Sequence, residues 1–90
     1  MKIKLNTIQE AAELAKICSD YEQYTPIDAF GGRYCVSATS VLGLTMFVGT
    51  EIEVKPYNRS QIPTRELIQL TEDIKRLKDK YNVTDDEEDE

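Results

Sequence analysis

Three small groups of side chains carry what reactivity this 90-residue chain has: Thr7 with Glu10, the hydroxyl run Ser37, Thr39 and Ser40, and the thiols Cys18 and Cys35. A hydroxyl becomes a nucleophile only beside a base, most often imidazole, and the chain contains no His. That zero removes phosphohistidine transfer, His-based general acid–base catalysis and every His-containing metal site. Cys18 and Cys35 are too few and too widely spaced for a zinc ribbon and form no Cys-x-x-Cys pair. Both read as small buried apolar residues. Thr7 and Glu10 stand three apart, the arrangement in which each side chain satisfies the other's free backbone N–H at a helix start. Ser40 likewise reads as the cap of the apolar segment after it. No nucleophile, base and orienting group assemble from these residues. The expectation is a protein that is not an enzyme, with no catalytic residue, no metal ligand and no cofactor.

Composition narrows the classes further. Lys and Arg number 11 against 17 Asp and Glu, and the last six residues, Asp85 to Glu90, are all acidic. Setting those six aside leaves 11 acids against 11 bases, so the body of the chain lacks the clustered positive charge that phosphate tracking requires. Direct nucleic-acid binding is not expected. The hydrophobic content of 40% is that of a folded chain, while 90 residues limit it to one domain with a thin core and little room for an enclosed pocket. Met1-Lys2-Ile3-Lys4-Leu5 lacks the apolar run of a signal peptide, and no stretch approaches the ~20 apolar residues of a membrane span. A cytoplasmic protein without membrane contact is the expectation.

The elements that position these residues follow from periodicity. Lys2 to Leu5 alternates as a strand with one buried face. From Thr7, a helix places Ile8, Ala11, Ala12, Leu14, Ala15, Cys18 and Tyr21 on one face, with Glu10, Glu13, Lys16 and Asp20 opposite. Pro26 breaks it. A strand over 27–30 and a return strand over 33–37 then flank a Gly31-Gly32 turn, with Tyr34 and Val36 facing inward. The segment 39–47 reads as a short helix with an exposed apolar side, and 51–55 as a last strand with Ile52 and Val54 inward. After Pro63, the spacing of Leu67, Leu70, Ile74, Leu77 and Tyr81 predicts a helix ending at Asn82 whose apolar face lies on the core, being too short for a coiled-coil seam. The order βαββαβα gives an α+β fold, a four-stranded, mainly antiparallel sheet with helices on one face. Residues 1–83 form the single domain, and 84–90 an acidic tail without calcium-loop spacing that is expected to be disordered.

With a long first helix, a Gly-Arg hairpin and a short Ser-capped second helix, this order resembles HPr, the phosphocarrier of the bacterial sugar phosphotransferase system. The run Gly32-Arg33-Tyr34-Cys35-Val36-Ser37-Ala38-Thr39-Ser40-Val41-Leu42-Gly43-Leu44 is similar to the HPr stretch of glycine, basic residue, strand and Lys-Ser-Ile-Met-Gly. The resemblance runs from about Met1 to Leu77 and implies an HPr-like open-faced sandwich. It puts Ser40 at the family's regulatory serine, the substrate of HPr kinase/phosphorylase, and Gly43 at the glycine three residues on. A phosphate on a helix-capping serine would meet free N–H groups and the positive end of the dipole. Departures accompany the match. The family's phosphoacceptor motif falls on Leu5 to Ala11, where Thr7 stands for the histidine and Gln9 for the arginine, and Thr39 replaces the lysine before the serine. Thr7 is non-functional in that role, because an aliphatic phosphoester is too stable to pass its phosphoryl group onward. The Crh-type regulators, which lack the histidine but keep the serine, are the nearer parallel.

The functional expectation is a non-catalytic HPr-like regulatory or adaptor protein acting by protein–protein binding, with Ser40 either a phosphorylation switch or a plain helix cap. The resemblance implies a kinase/phosphorylase or a LacI-type transcription regulator as partner. Gly43, Leu44, Met46 and Phe47 are the candidate partner-binding residues, the alternative being that this apolar segment plugs the open end of the sheet. Two further readings stand beside it: a phosphotransferase-system phosphocarrier, against which the missing His argues, and a ferredoxin-like interaction module unrelated to sugar transport. In the last, the sheet face with Arg33, Cys35, Ser37, Glu51 and Glu53 would self-associate. A monomer or weak homodimer is expected.

Overall fold

The computed structural model describes residues 1–88, with side chains through Tyr81. Its elements are β1 (Lys2–Lys4), α1 (Ile8–Ser19), β2 (Ile27–Gly31), β3 (Tyr34–Ser37), α2 (Val41–Thr45), β4 (Glu51–Pro56), a 3-10 turn (Arg59–Gln61) and α3 (Thr64–Glu88). The fold is α+β. All strand pairs are antiparallel and the sheet order is β1-β4-β2-β3, so the two edges are β1 and β3. Ile3, Ile27, Ala29, Ile52 and Val54 are buried beneath the helices together with Leu14, Cys18, Leu44, Leu70, Ile74 and Leu77. The opposite sheet face carries Lys2, Lys4, Asp28, Phe30, Cys35, Ser37, Glu51, Glu53 and Lys55, since side chains alternate along each strand.

Several boundaries differ from the expectation for identifiable reasons. In α1 the buried arc is centred on Leu14 and Cys18, which moves Ile8 out to 64% exposure and draws Glu10 in to 0%. Spacing alone places them the other way round, because a face drawn from spacing does not fix its centre. The hairpin turn is Gly32-Arg33, one residue later than Gly31-Gly32. Gly32 takes a φ of +60°, the left-handed conformation that glycine adopts at least cost. Gly31 stays in the strand, where a Cβ would lie 2.5 Å from the Phe47 ring. Of the inward pair, Val36 packs on the core while Tyr34, at the hairpin tip, is 60% exposed. Helix α3 continues past Asn82, which no Gly or Pro follows to stop it. Its Leu70, Ile74 and Leu77 lie in the core and Leu67 and Tyr81 pack against it, as the core-face reading requires. Of the acidic tail expected to be disordered over 84–90, residues 84–88 continue α3 as helix, and 89–90 lie outside the described residues.

Helix α3 is fastened to α1 and to the turn after it by polar contacts at its rim. The Tyr21 hydroxyl donates to Asp73 Oδ2 at 2.8 Å and the Tyr81 hydroxyl to Glu13 Oε2 at 2.5 Å, while Lys80 Nζ reaches Glu13 Oε1 at 3.1 Å. The Tyr81 hydrogen bond, then Lys80, holds the Glu13 carboxyl below its ordinary 4.5. Conversely, burial and the Asp73 bond push the Tyr21 phenol up, and the Glu13 bond raises Tyr81 to about 12.

Two predictions follow from this packing. Gly31→Ala, whose methyl meets the buried Phe47 ring, lowers stability by about 2–3 kcal/mol in urea denaturation. Gly32→Ala meets no neighbour and loses about 1 kcal/mol from backbone strain alone. Equal losses in the two would contradict the assigned contact. The α1–α3 clamp also fixes the pH dependence. Because Glu13 is depressed in the fold, its contribution is complete above pH 4.5 and is lost as pH falls through the folded value. The phenols are raised, so their contribution is complete below pH 10.0 and is lost as pH climbs above it. Thermal melts from pH 3 to 11 test this: Glu13→Gln and Tyr81→Phe each remove the shared hydrogen bond, so each flattens both limbs, Tyr81→Phe leaving the Lys80 share of the acid limb and Glu13→Gln the Tyr21 share of the alkaline one.

Candidate functional site

The hydroxyl run lies in the turn from β3 into α2. Ser40 has extended backbone (φ −98°, ψ 111°), its Oγ accepts the Gly43 N–H at 3.0 Å and its carbonyl accepts the Leu44 N–H at 2.9 Å. This is an N-cap, and it satisfies donors that a five-residue helix would otherwise leave open. Ser40 is half-buried, with Ser37 and Thr39 beside it. Ser37 Oγ and Thr39 Oγ1 are 2.8 Å apart, and Thr39 Oγ1 donates to Glu22 Oε2 at 3.3 Å, tying the turn to the chain just after α1.

Gly43 explains how α2 reaches β3. A Cβ there would stand 3.0 Å from Val36 Cβ and 3.3 Å from Ser40 Oγ, so only a residue without a side chain lets the helix backbone rest on the strand at this distance. Leu44 then points into the core at 0% exposure and Phe47, just past the helix, at 5%. Both were expected with Gly43 and Met46 on a partner-facing surface, and both are core instead, because α2 must bury one side to be held at all. The exposed side consists of Leu42 (83%), Met46 (62%) and Val41 (40%). Of these only Met46 is among the partner-facing residues expected from the sequence. A helical wheel centred on Leu44 would have placed Leu42 outward.

Thr7, which the resemblance to HPr was expected to set at the phosphoacceptor position, accepts the Glu10 N–H at 3.1 Å through its side chain and caps α1. The reciprocal bond of the capping box goes elsewhere: Glu10 Oε1 accepts the N–H of Asn6, at 2.8 Å. Its Oε2 is buried without a hydrogen-bond partner among the described residues. A carboxylate folded over this helix start opposes an incoming phosphate by like charge. Cys18 is buried, with its thiol pushed up to about 12 by desolvation, and Cys35 is exposed. Among the described residues no group of three or more Cys, Asp or Glu side chains converges to hold a metal, and no helix is long and apolar enough to cross a membrane. The depression between α1 and α3, of about 610 Å³, is an open groove flanked by Glu13, Ile17, Leu77 and Lys80. No family model matches the chain, and comparison with curated proteins and with solved structures gives no significant match.

Removing the cap isolates its structural share. Ser40→Ala lowers unfolding free energy by about 1 kcal/mol, read from the denaturation midpoint at unchanged slope, and Ser40→Asn recovers most of it.

Proposed function

We propose that the chain is a non-catalytic HPr-like regulatory or adaptor protein that binds a protein partner through the exposed side of α2, with Ser40 as the residue whose phosphorylation sets that binding. The observation that carries this reading is that Ser40 caps the start of a short helix whose solvent-facing apolar side chains are Val41 and Leu42, with Met46 exposed at its C-cap. Apolar side chains grouped in this way mark interaction sites more often than isolated ones do. A phosphate on Ser40 adds a charge of about −1.5 to −2 beside that patch and repels the Glu22 carboxylate held through Thr39, so it both frees the turn and favours a basic, apolar partner. The HPr-like element order and the run Gly32 to Leu44 support the same reading. They point to a kinase/phosphorylase or a LacI-type transcription regulator as the partner, in the cytoplasm, with no direct contact to nucleic acid or membrane.

The test is intact mass after incubation with ATP and an HPr kinase/phosphorylase, beside Ser40→Ala and a true HPr control. One added phosphate, absent from Ser40→Ala and reduced at least about tenfold in Leu42→Asp, is the expected result. Full modification of the control with none here would leave Ser40 a helix cap and overturn the switch. The Leu42→Asp variant folds with stability within about 0.5 kcal/mol of the parent, as its side chain is exposed.

A further inference from the structure

The two edges of the sheet are unlike. β1 carries Lys2 and Lys4, and lysines on an edge strand keep other strands from adding to it. β3 has no charged residue and no Pro, and none of its four residues is buried. The Ala38 N–H donates to the Ile27 carbonyl at 2.8 Å, which sets the phase of the hairpin ladder. Tyr34 and Val36 therefore turn their backbone groups toward β2, and Cys35 and Ser37 turn theirs away from it. The Ser37 carbonyl accepts the Ser40 N–H at 3.1 Å, while the Cys35 N–H and carbonyl and the Ser37 N–H face an edge with no strand beside it.

The charges at the two ends of this edge are opposite. Arg33 sits exposed at the hairpin tip and has no ion-pair partner among the described residues. At the far end, Glu22 is held by Thr39. On the helix side α2 rests against β3 through Gly43 and Val36, so Tyr34 and the outer side of α2, with Leu42 and Met46, flank the edge with apolar surface.

We infer that β3 is a self-association edge, on which a second copy of this chain pairs its own β3 antiparallel to the first and joins two four-stranded sheets into one of eight. Charge selects both the occupant and the direction. A two-fold axis through the middle of β3 sets the Arg33 end of each copy beside the Glu22 end of the other. A parallel arrangement would set like charges together. The same axis brings the two α2 helices to one side of the joined sheet. An interface of one short strand and a few apolar side chains is small, so association is expected in the micromolar range rather than as an obligate dimer. This inference rests on the edge strand and is independent of any phosphorylation of Ser40.

Sedimentation velocity from about 10 µM to 1 mM should show the mass rising from monomer toward dimer and no further. Over the same range the Cys35 and Ser37 amides should become at least about tenfold slower in hydrogen exchange, because they acquire strand partners. A short bis-maleimide should link Cys35 to Cys35, which lie within about 8 Å whether the axis passes by Cys35 or Val36. Arg33→Glu or Glu22→Arg alone should weaken association about fivefold, through two exposed ion pairs per dimer, and the two together should restore it to within about twofold. Both residues are exposed, so the folded monomer persists in each variant. A monomer throughout the range overturns the inference. So does a dimer whose Cys35 and Ser37 amides are unchanged, or a double charge reversal no better than the single ones.

Discussion

A four-stranded sheet has two faces, and this chain holds apolar side chains for one. Ile3, Ile27, Ala29, Ile52 and Val54 alternate with Lys2, Lys4, Asp28, Glu51, Glu53 and Lys55, so every helix must cover the same side. Three helices then share one surface. α1 and α3 are long enough to present full apolar stripes, and α2, with five residues, is not. A helix this short is marginal by propensity, and it is held by what lies around it: Leu44 in the core, Gly43 against Val36, and the Ser40 cap. Its remaining apolar side chains have no protein left to cover them. The exposed side of α2 thus follows from the shortage of sheet surface.

The open face is balanced rather than featureless. Lys2 stands opposite Glu53, Lys4 opposite Glu51, and Lys55 opposite Asp28. Cross-strand pairs of opposite charge are favourable by a few tenths of a kcal/mol each, and a one-residue slip would send these charges into the core. Lys55 also lies 5.7 Å from the centre of the Phe30 ring, which leaves that exposed aromatic partly covered by a cation. The face therefore fixes register while remaining neutral, and the asymmetry of the molecule resides at its edges.

Much of this architecture was legible in the sequence, since strand alternation and helix spacing report directly on which side of an element is buried. The element order, the inward residues of β4 and the core stripe of α3 are cases in point. What the sequence left unread depends on distance in space. Glu10 looks like surface until its carboxylate is seen folded back onto the Asn6 N–H. Gly31 looks like a turn residue until the Phe47 ring is placed against it. Leu44 and Phe47 belong to the same apolar run as Leu42 and Met46, and only the orientation of α2 on β3 separates core from surface. The helix cap at Ser40 was readable because capping is local. The link from Thr39 to Glu22, seventeen residues away, was not.

The lysines of β1 have a consequence for stoichiometry. A sheet that can add strands at both ends propagates, whereas one with a single receptive end can at most meet another such end and stop. With Lys2 and Lys4 guarding one margin, the molecule has the valence of a chain terminator. In the dimer inferred above, pairing through β3 leaves the two β1 strands outermost, each guarded by Lys2 and Lys4, so strand addition stops at two copies.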